Sequence, residues 1–392
     1  VKKKDLNIIW APGTDWIIQP GHPESPFRME TMEKIIREKG LKLQNPLPLS
    51  REQIGRYQFI SPRVELKEAH YMAAGAMVMS CQKALKGEQA LICSRPPGHH
   101  SPRLSYGTRG FCTINNEAIG LRFLLEENPD LRLALIDTDA HHGDGTEDIF
   151  FYEPRIRHFS IHQDGRTIFP GSGFAETTGA FNNIRNIPLP PGAGDSYLFQ
   201  AIKELVLPEI EDFSPDLIIH VAGFDGHQDD FLSHLNYSET TLGLISTLLQ
   251  PDITVIAGGY DCRRAVPQSF GALLNSLITS FTSQPPPSSS RISKHLQKIR
   301  ADWQAGAEKF EGSPVPKKRN VSFFYDEEFF QEKRQEAFFP CSRCPGVLSI
   351  NSHLDKTRHL IVASNDNCQQ CQNRTEKLQK KRGASIIMGS NP

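Results

Sequence analysis

From about residue 50 to 283, short β-branched apolar runs alternate with stretches of helical periodicity. LALID (133–137), HFSIH (158–162), LIIHVAG (217–223) and ITVIAGG (253–259) have the length and unbroken apolarity of strands buried on both faces. The segments 67–86, 115–127, 196–212 and 239–250 repeat apolar positions at helical spacing instead. Such alternation predicts an α/β fold with a parallel sheet. The strands run into Gly, Asp or His, so polar side chains are expected at their carboxyl ends, where the loops of such sheets form ligand crevices.

The pattern changes at 284–290, QPPPSSS, which reads as a Pro/Ser linker. A charged helix over 291–311 is expected, broken at 312–320, and residues 321–338 mix Phe with charge. The expected divisions are therefore a body of 1–283, a linker and charged helical segment of 284–338, a Cys-rich module at 339–373 and a frayed basic tail at 374–392. No apolar run approaches the ~20 residues of a membrane span. The basic start VKKKDLNIIW is not followed by an apolar signal region, so the expected compartment is the cytoplasm.

Composition adds little for the body, because 38% hydrophobic and 23% charged residues exclude only collagen, coiled coil and wholesale disorder. Charge is more telling. The totals of 44 Lys+Arg and 45 Asp+Glu divide unevenly: 18 against 11 in residues 291–392, leaving 26 against 34 before them. An acidic body with a basic tail makes the tail the part expected to meet an acidic partner. Cys81, Cys93, Cys112 and Cys262 are scattered in apolar surroundings and read as reduced core thiols.

Three groups of residues carry chemistry. Arg95-Pro-Pro-Gly-His99-His100 precedes Gly110-Phe111-Cys112. Asp137-Thr-Asp139-Ala-His141-His142-Gly-Asp144 follows the strand at 133–137. Asp225 and Tyr260 follow the strands at 217–223 and 253–259. In extended chain, positions i and i+2 point to one side, so Asp139 and His141 can present a carboxylate and an imidazole to one ion. Asp225 would complete two oxygens and one nitrogen, leaving a position for water and substrate on zinc.

These residues resemble the zinc-dependent histone deacetylases and their bacterial amidohydrolase relatives over about 7–283. The motifs are GHPESPFRME (21–30), RPPGHH, GFCTINNEAIG (110–120), DTDAHHGDGTEDIF (137–150), SIHQDGRTIFPGSG (160–173), AGFDGHQDD (222–230) and AGGYD. The resemblance implies the arginase–deacetylase sandwich with a mainly parallel eight-stranded sheet. It implies zinc on Asp139, His141 and Asp225, His100 as general base, His99 as its electrostatic partner and an alternative acid, and Asp137 and Asp144 holding the two imidazoles. Tyr260 would donate to the acetyl oxygen, and a potassium ion would sit at Asp137 with backbone carbonyls near Asp139, His141 and Ser160. Gly110, Phe111 and Phe169 would shape a tunnel for a neutral acyl-lysine. Leu232 matches the position where a Glu favours acetylpolyamines, so acetylated protein or peptide lysine, including histones, is the expected substrate and acetylpolyamine the alternative. The body is short for the family, with a compressed stretch between 31 and 66, so the rim loops transfer least. His142 and Asp164 read as structural. Arginase-like chemistry would need a second metal's ligands, but Gly98-His99-His100 and a single Asp225 occupy those places. A non-catalytic binder would be expected to lack Tyr260, a ligand or the His pair.

Cys341-x-x-Cys344 and Cys368-x-x-Cys371, 23 residues apart, have the spacing of a four-thiolate structural zinc site. With a hairpin of 347–352 and 359–364 between the pairs, the module resembles a zinc ribbon. Lys317-Lys318-Arg319 before it and Lys377, Lys380, Lys381 and Arg382 after it suggest nucleic acid or an acidic protein surface as partner. Pro316-Lys-Lys-Arg319 also resembles a nuclear-import signal, which would matter if the protein entered a host cell.

Overall fold

Eight strands form one parallel sheet in the order β2-β1-β3-β8-β7-β4-β5-β6. They are β1 (Leu6–Ala11), β2 (Leu43–Gln44), β3 (Gln89–Ser94), β4 (Leu133–Asp137), β5 (Ile156–Gln163), β6 (Ile184–Leu189), β7 (Leu217–Ala222) and β8 (Ile253–Ile256). The computed structural model describes residues 5–388 apart from 18, 280, 282, 314, 327–329, 355–358, 365–366 and 383–384. The four expected strands are all present, and alternation within each explains their double burial. Ala134 and Ile136 enter one core, while Leu133 and Leu135 enter the other.

Helices cover both faces, as the α/β reading requires. They are α1 (Phe27–Glu38), α2 (Glu68–Ala84), α3 (Asn116–Glu127), α4 (Asp144–Phe150), α5 (Asp195–Ala201), α6 (Leu207–Phe213), α7 (Thr241–Leu249) and α8 (Ala265–Ile278). A π turn, Ile202–Val206, joins α5 to α6. The four central strands β3, β8, β7 and β4 are neighbours. RPPGHH, AGGYD, AGFD and DTDAHH therefore leave adjacent carboxyl ends and meet in one place.

The segment after 283 departs from expectation. The stretch before residue 290 lacks regular structure, as a linker should. However, α9 (Ser290–Glu311) lays Ile292, Leu296, Ile299 and Trp303 into the same core as the sheet. Trp303 Nε1 donates to the Asn186 carbonyl at 2.9 Å. The rest of the expected linker and the expected frayed tail are also largely structured. β9 (Lys317–Phe324), β10 (Gln331–Phe339), β11 (Val347–Ser352), β12 (His359–Ala363) and β13 (Ser385–Met388) form a five-stranded sheet. The β11–β12 hairpin falls where the sequence places it, and α10 (Gln369–Arg382) follows the second cysteine pair. Of the tail, 383–384 and 389–392 lie outside the described residues.

The expected import signal is built into this sheet. Lys317 Nζ donates to the Phe310 carbonyl at 2.7 Å, and Arg319 is tucked against Asp148 and the Phe151 ring. Strand formation draws Lys317 and Arg319 into these contacts, half-buried, and leaves Lys318 exposed. Among the described residues, no helix is long and apolar enough to cross a membrane.

Candidate active site and cysteine cluster

Asp139 and His141 leave the end of β4, and Asp225 follows β7. Backbone amides fix the carboxylates: Asp139 N donates to Asp137 Oδ1 (3.0 Å), Ala140 N to Asp225 Oδ1 (2.9 Å) and Gly258 N to Asp139 Oδ2 (2.7 Å). His141 Nδ1 lies 2.8 Å from Asp225 Oδ2 and 3.2 Å from Asp139 Oδ1. One donor atom from each of the three lies within 4.8 Å of the others. Gly258 makes this convergence possible, since a Cβ there would stand 2.5 Å from oxygens of both Asp139 and Asp225. Burial raises the Asp225 carboxyl to about 7, with the Asp139 charge adding to it. A cation between the carboxylates would relieve that repulsion. One nitrogen and two oxygens at this spacing fit a four-coordinate divalent ion with one open position.

The tandem histidines sit beside this donor set on separate carboxylates. His99 Nδ1 is 2.9 Å from Asp137 Oδ2, and His100 Nδ1 is 3.0 Å from Asp144 Oδ1. Their rings are 4.0 Å apart between centroids. Burial, with the neighbouring His99 adding to it, lowers His100 to about 3. For His99, burial also opposes charge, but Asp139 and Asp137 outweigh it and raise the group to about 10. Two like imidazoles thus receive opposite electrostatic settings. Nδ1 of each faces a carboxylate, which fixes the orientation of both rings.

Tyr260 stands at the end of β8, and Asp230 fixes its backbone. Asp230 Oδ2 accepts from Tyr260 N (2.6 Å) and Asp261 N (3.0 Å). Its Oδ1 accepts from Leu232 N at 3.0 Å, so half-buried Leu232 and Tyr260 share one anchor. Burial, reinforced by Asp139, holds the Tyr260 hydroxyl well above its ordinary pKa, so it remains a neutral donor. Phe111 packs edge-on to Tyr260 at 5.6 Å, and Phe169 packs edge-on to His100 at 5.0 Å. Gly110 lies between the walls at φ +51°, and a Cβ there would come 2.4 Å from His100 Cδ2 and 2.9 Å from Phe169. The structure brings every sequence-predicted residue of the body to this one place. The two residues read as structural are paired elsewhere: His142 binds Glu147 and Ser172, and Asp164 binds Arg166.

Several supporting residues escape sequence reasoning. Arg109 grips Asp144 through Nη1 (2.7 Å) and Nη2 (2.6 Å). Arg28 donates Nε to the Gly259 carbonyl (2.6 Å) and lies over the Tyr260 ring, while Glu24 binds both Arg28 and Arg95. The GHPESPFRME and RPPGHH motifs contain these residues, but only the fold shows which strand end they hold. The sole signal is an Arg and a Glu at helical i, i+4 spacing in 24–28.

In the C-terminal region the four cysteines converge as their spacing predicts. One sulfur from each lies within 4.8 Å of the rest, and Cys368 Sγ is 3.7 Å from both Cys341 and Cys344. The Arg343 amide directed at Cys341 lowers that thiol below its ordinary range. The cluster is compatible with a structural zinc and with a zinc ribbon.

Fold and site together define an α/β sandwich around a parallel sheet, with a metal-type donor set at adjacent strand ends. Residues 25–277 match the histone deacetylase domain. A probable deacetylase of Archaeoglobus fulgidus is 30% identical over 288 residues, covering 63% of this chain and 79% of that protein. The acetoin utilization protein AcuC of Staphylococcus xylosus is 31% identical over 244 residues, 57% of this chain and 61% of its own length. The crystal structure of the HDA15 HD domain superposes with a TM-score of 0.66 at 21% identity, covering 79% of this chain and 98% of that one, a likeness of fold. The chain belongs to the histone deacetylase family, and membership supports a deacetylase activity of the hydrolase class.

Proposed function

We propose that this protein is a zinc-dependent hydrolase that removes acetyl groups from lysine side chains of proteins or peptides. The observation that carries the reading is the Asp139–His141–Asp225 donor set, with the His100 ring 6.1 Å from that of His141 and Tyr260 within the field of Asp139 and Asp225. Zinc on those donors would polarise the acetyl carbonyl and make its water a better nucleophile. His100, with Nδ1 committed to Asp144, accepts the water proton at Nε2 and returns it to the departing lysine amine. His99, held by Asp137, places a second imidazole beside the developing charge. The Tyr260 hydroxyl donates to the oxygen that becomes negative as the carbonyl turns tetrahedral. Phe111 and Phe169 exclude water and suit an unbranched neutral chain. A potassium ion at Asp137 belongs to the same proposal and rests on the family resemblance.

A second zinc on the four cysteines is a separate part of the proposal, supported by their convergence. Metal analysis of the purified protein should find about two zinc per chain. Cys341→Ser with Cys344→Ser should leave about one, and Asp225→Ala should leave about one on the other site. A single zinc in the intact protein overturns the cysteine assignment.

For the substrate, Leu232 offers no charge to a distal ammonium, which supports acetylated peptide over acetylpolyamine. Acetyl-lysine peptides, histone tails among them, should exceed acetylspermidine and acetylputrescine in kcat/KM. A preference of about tenfold or more for the polyamines, about 1.4 kcal/mol, would overturn the peptide reading and leave the chemistry intact. Cys81, Cys93 and Cys112 are buried singly in the core, as reduced thiols would be, and a cytoplasmic location belongs to the same proposal.

A further inference from the structure

The reacting groups named above all lie in the body, yet the arginine that holds the carboxylate of His100 is itself covered by a ring of the C-terminal sheet. Helix α4 begins with Asp144, which orients His100, and carries Asp148 one turn later. Each carboxylate is gripped by a different arginine: Asp144 by Arg109 of the loop after His100, and Asp148 by Arg334 of β10. Both guanidiniums lie over one ring, that of Phe323 in β9, at 5.1 Å for Arg109 and 5.3 Å for Arg334. Arg109 also lies 5.0 Å over the Phe169 wall and donates Nη1 to the His100 carbonyl at 3.2 Å. Arg109 and Phe323 are both buried.

The residues just after β9 fasten the loop that carries Arg109, Gly110 and Phe111. Tyr325 Oη donates to the Leu104 carbonyl at 2.7 Å and accepts from Tyr106 N at 3.3 Å. Asp326 N donates to the Thr108 carbonyl at 3.0 Å. The loop from His100 to Cys112 thus rests against residues more than 200 positions later in the chain.

We propose that Phe323 is a positioning residue for catalysis: its ring face fixes Arg109, Arg109 fixes Asp144, and Asp144 orients His100. The inference rests on the deacetylase reading for the role of His100 and goes beyond it, because it makes turnover depend on the C-terminal sheet. A guanidinium desolvated between carboxylate and ring is held in direction as well as place. Small displacements of a proton-transfer group are expensive in rate even where substrate binding is untouched.

The test uses the full-length protein and two conservative variants. Phe323→Leu keeps apolar volume and removes the ring face. Tyr325→Phe keeps the ring and removes the hydroxyl that ties Leu104 and Tyr106. On an acetyl-lysine peptide, Phe323→Leu should lose about 5- to 20-fold in kcat with KM within about twofold, and Tyr325→Phe should move the same way. Lys333→Ala, on the exposed face of the same sheet, should match the wild type. As a readout independent of turnover, proton NMR of the zinc-free protein follows the His100 Nδ1–H signal, assigned by its loss in His100→Ala. That signal should broaden or move in Phe323→Leu and remain in Lys333→Ala. Wild-type kcat and an unmoved signal in both sheet variants overturn the proposal, as does an equal loss in Lys333→Ala. If the wild type deacetylates nothing, the functional reading fails, whereas the NMR signal still decides whether Phe323 positions His100.

Discussion

Tyr260→Phe is expected to lower kcat by about 10²–10³ while KM stays within a few-fold and zinc content is unchanged. The ring is held by contacts that do not involve its hydroxyl. Phe111 meets its edge, Arg28 lies over its face at 5.2 Å, and Asp230 fixes its backbone amide. Removing one oxygen therefore leaves the walls and the donor set in place. What is lost is a hydroxyl that burial keeps protonated. Its hydrogen bond strengthens as the acetyl oxygen gains charge, so the deficit falls on turnover rather than binding. Full activity in this variant would mean that the site has been misread.

The body was legible because its signals are local and redundant. LALID, LIIHVAG and ITVIAGG could be read as doubly buried strands, since apolar side chains serve both faces. The D-x-H spacing, the His pair and Tyr260 each follow a strand end, and parallel strands bring those ends together. The second sheet was illegible for the opposite reason. β10, QEKRQEAFF, is polar on both faces over 331–336, because the side it buries carries Glu332, Arg334 and Glu336 ahead of Phe338. Their burial is compensated by Asp148 of the body and by one another. An ion-pair network across two distant segments has no periodicity in hydrophobicity, so a buried strand looks like a solvated one. α9 shows the intermediate case. Its helical pattern was readable from sequence, but where its apolar stripe docks was not.

That docking reverses an expectation a separable tail would carry, namely that removing it spares activity on short peptides. Deleting 290–392 is instead expected to leave no folded, active protein. The deletion strips Ile292, Leu296, Ile299 and Trp303 from the main core, each worth about 1.5–3 kcal/mol as buried apolar surface. It also removes Arg334 and Arg319, the C-terminal partners of Asp148, together with the sheet that covers that carboxylate. Phe151 and Tyr152 lose the cover of Phe338, Leu348 and Ile350. Against a total stability of about 5–15 kcal/mol, losses of this size use up most or all of it. The truncated chain should be insoluble, or show no cooperative thermal transition by circular dichroism, and should not turn over a short acetyl-lysine peptide. A soluble 1–289 fragment with wild-type peptide activity would restore the tail as an independent module. It would also exclude any contribution of Phe323 to His100, since that fragment lacks the ring.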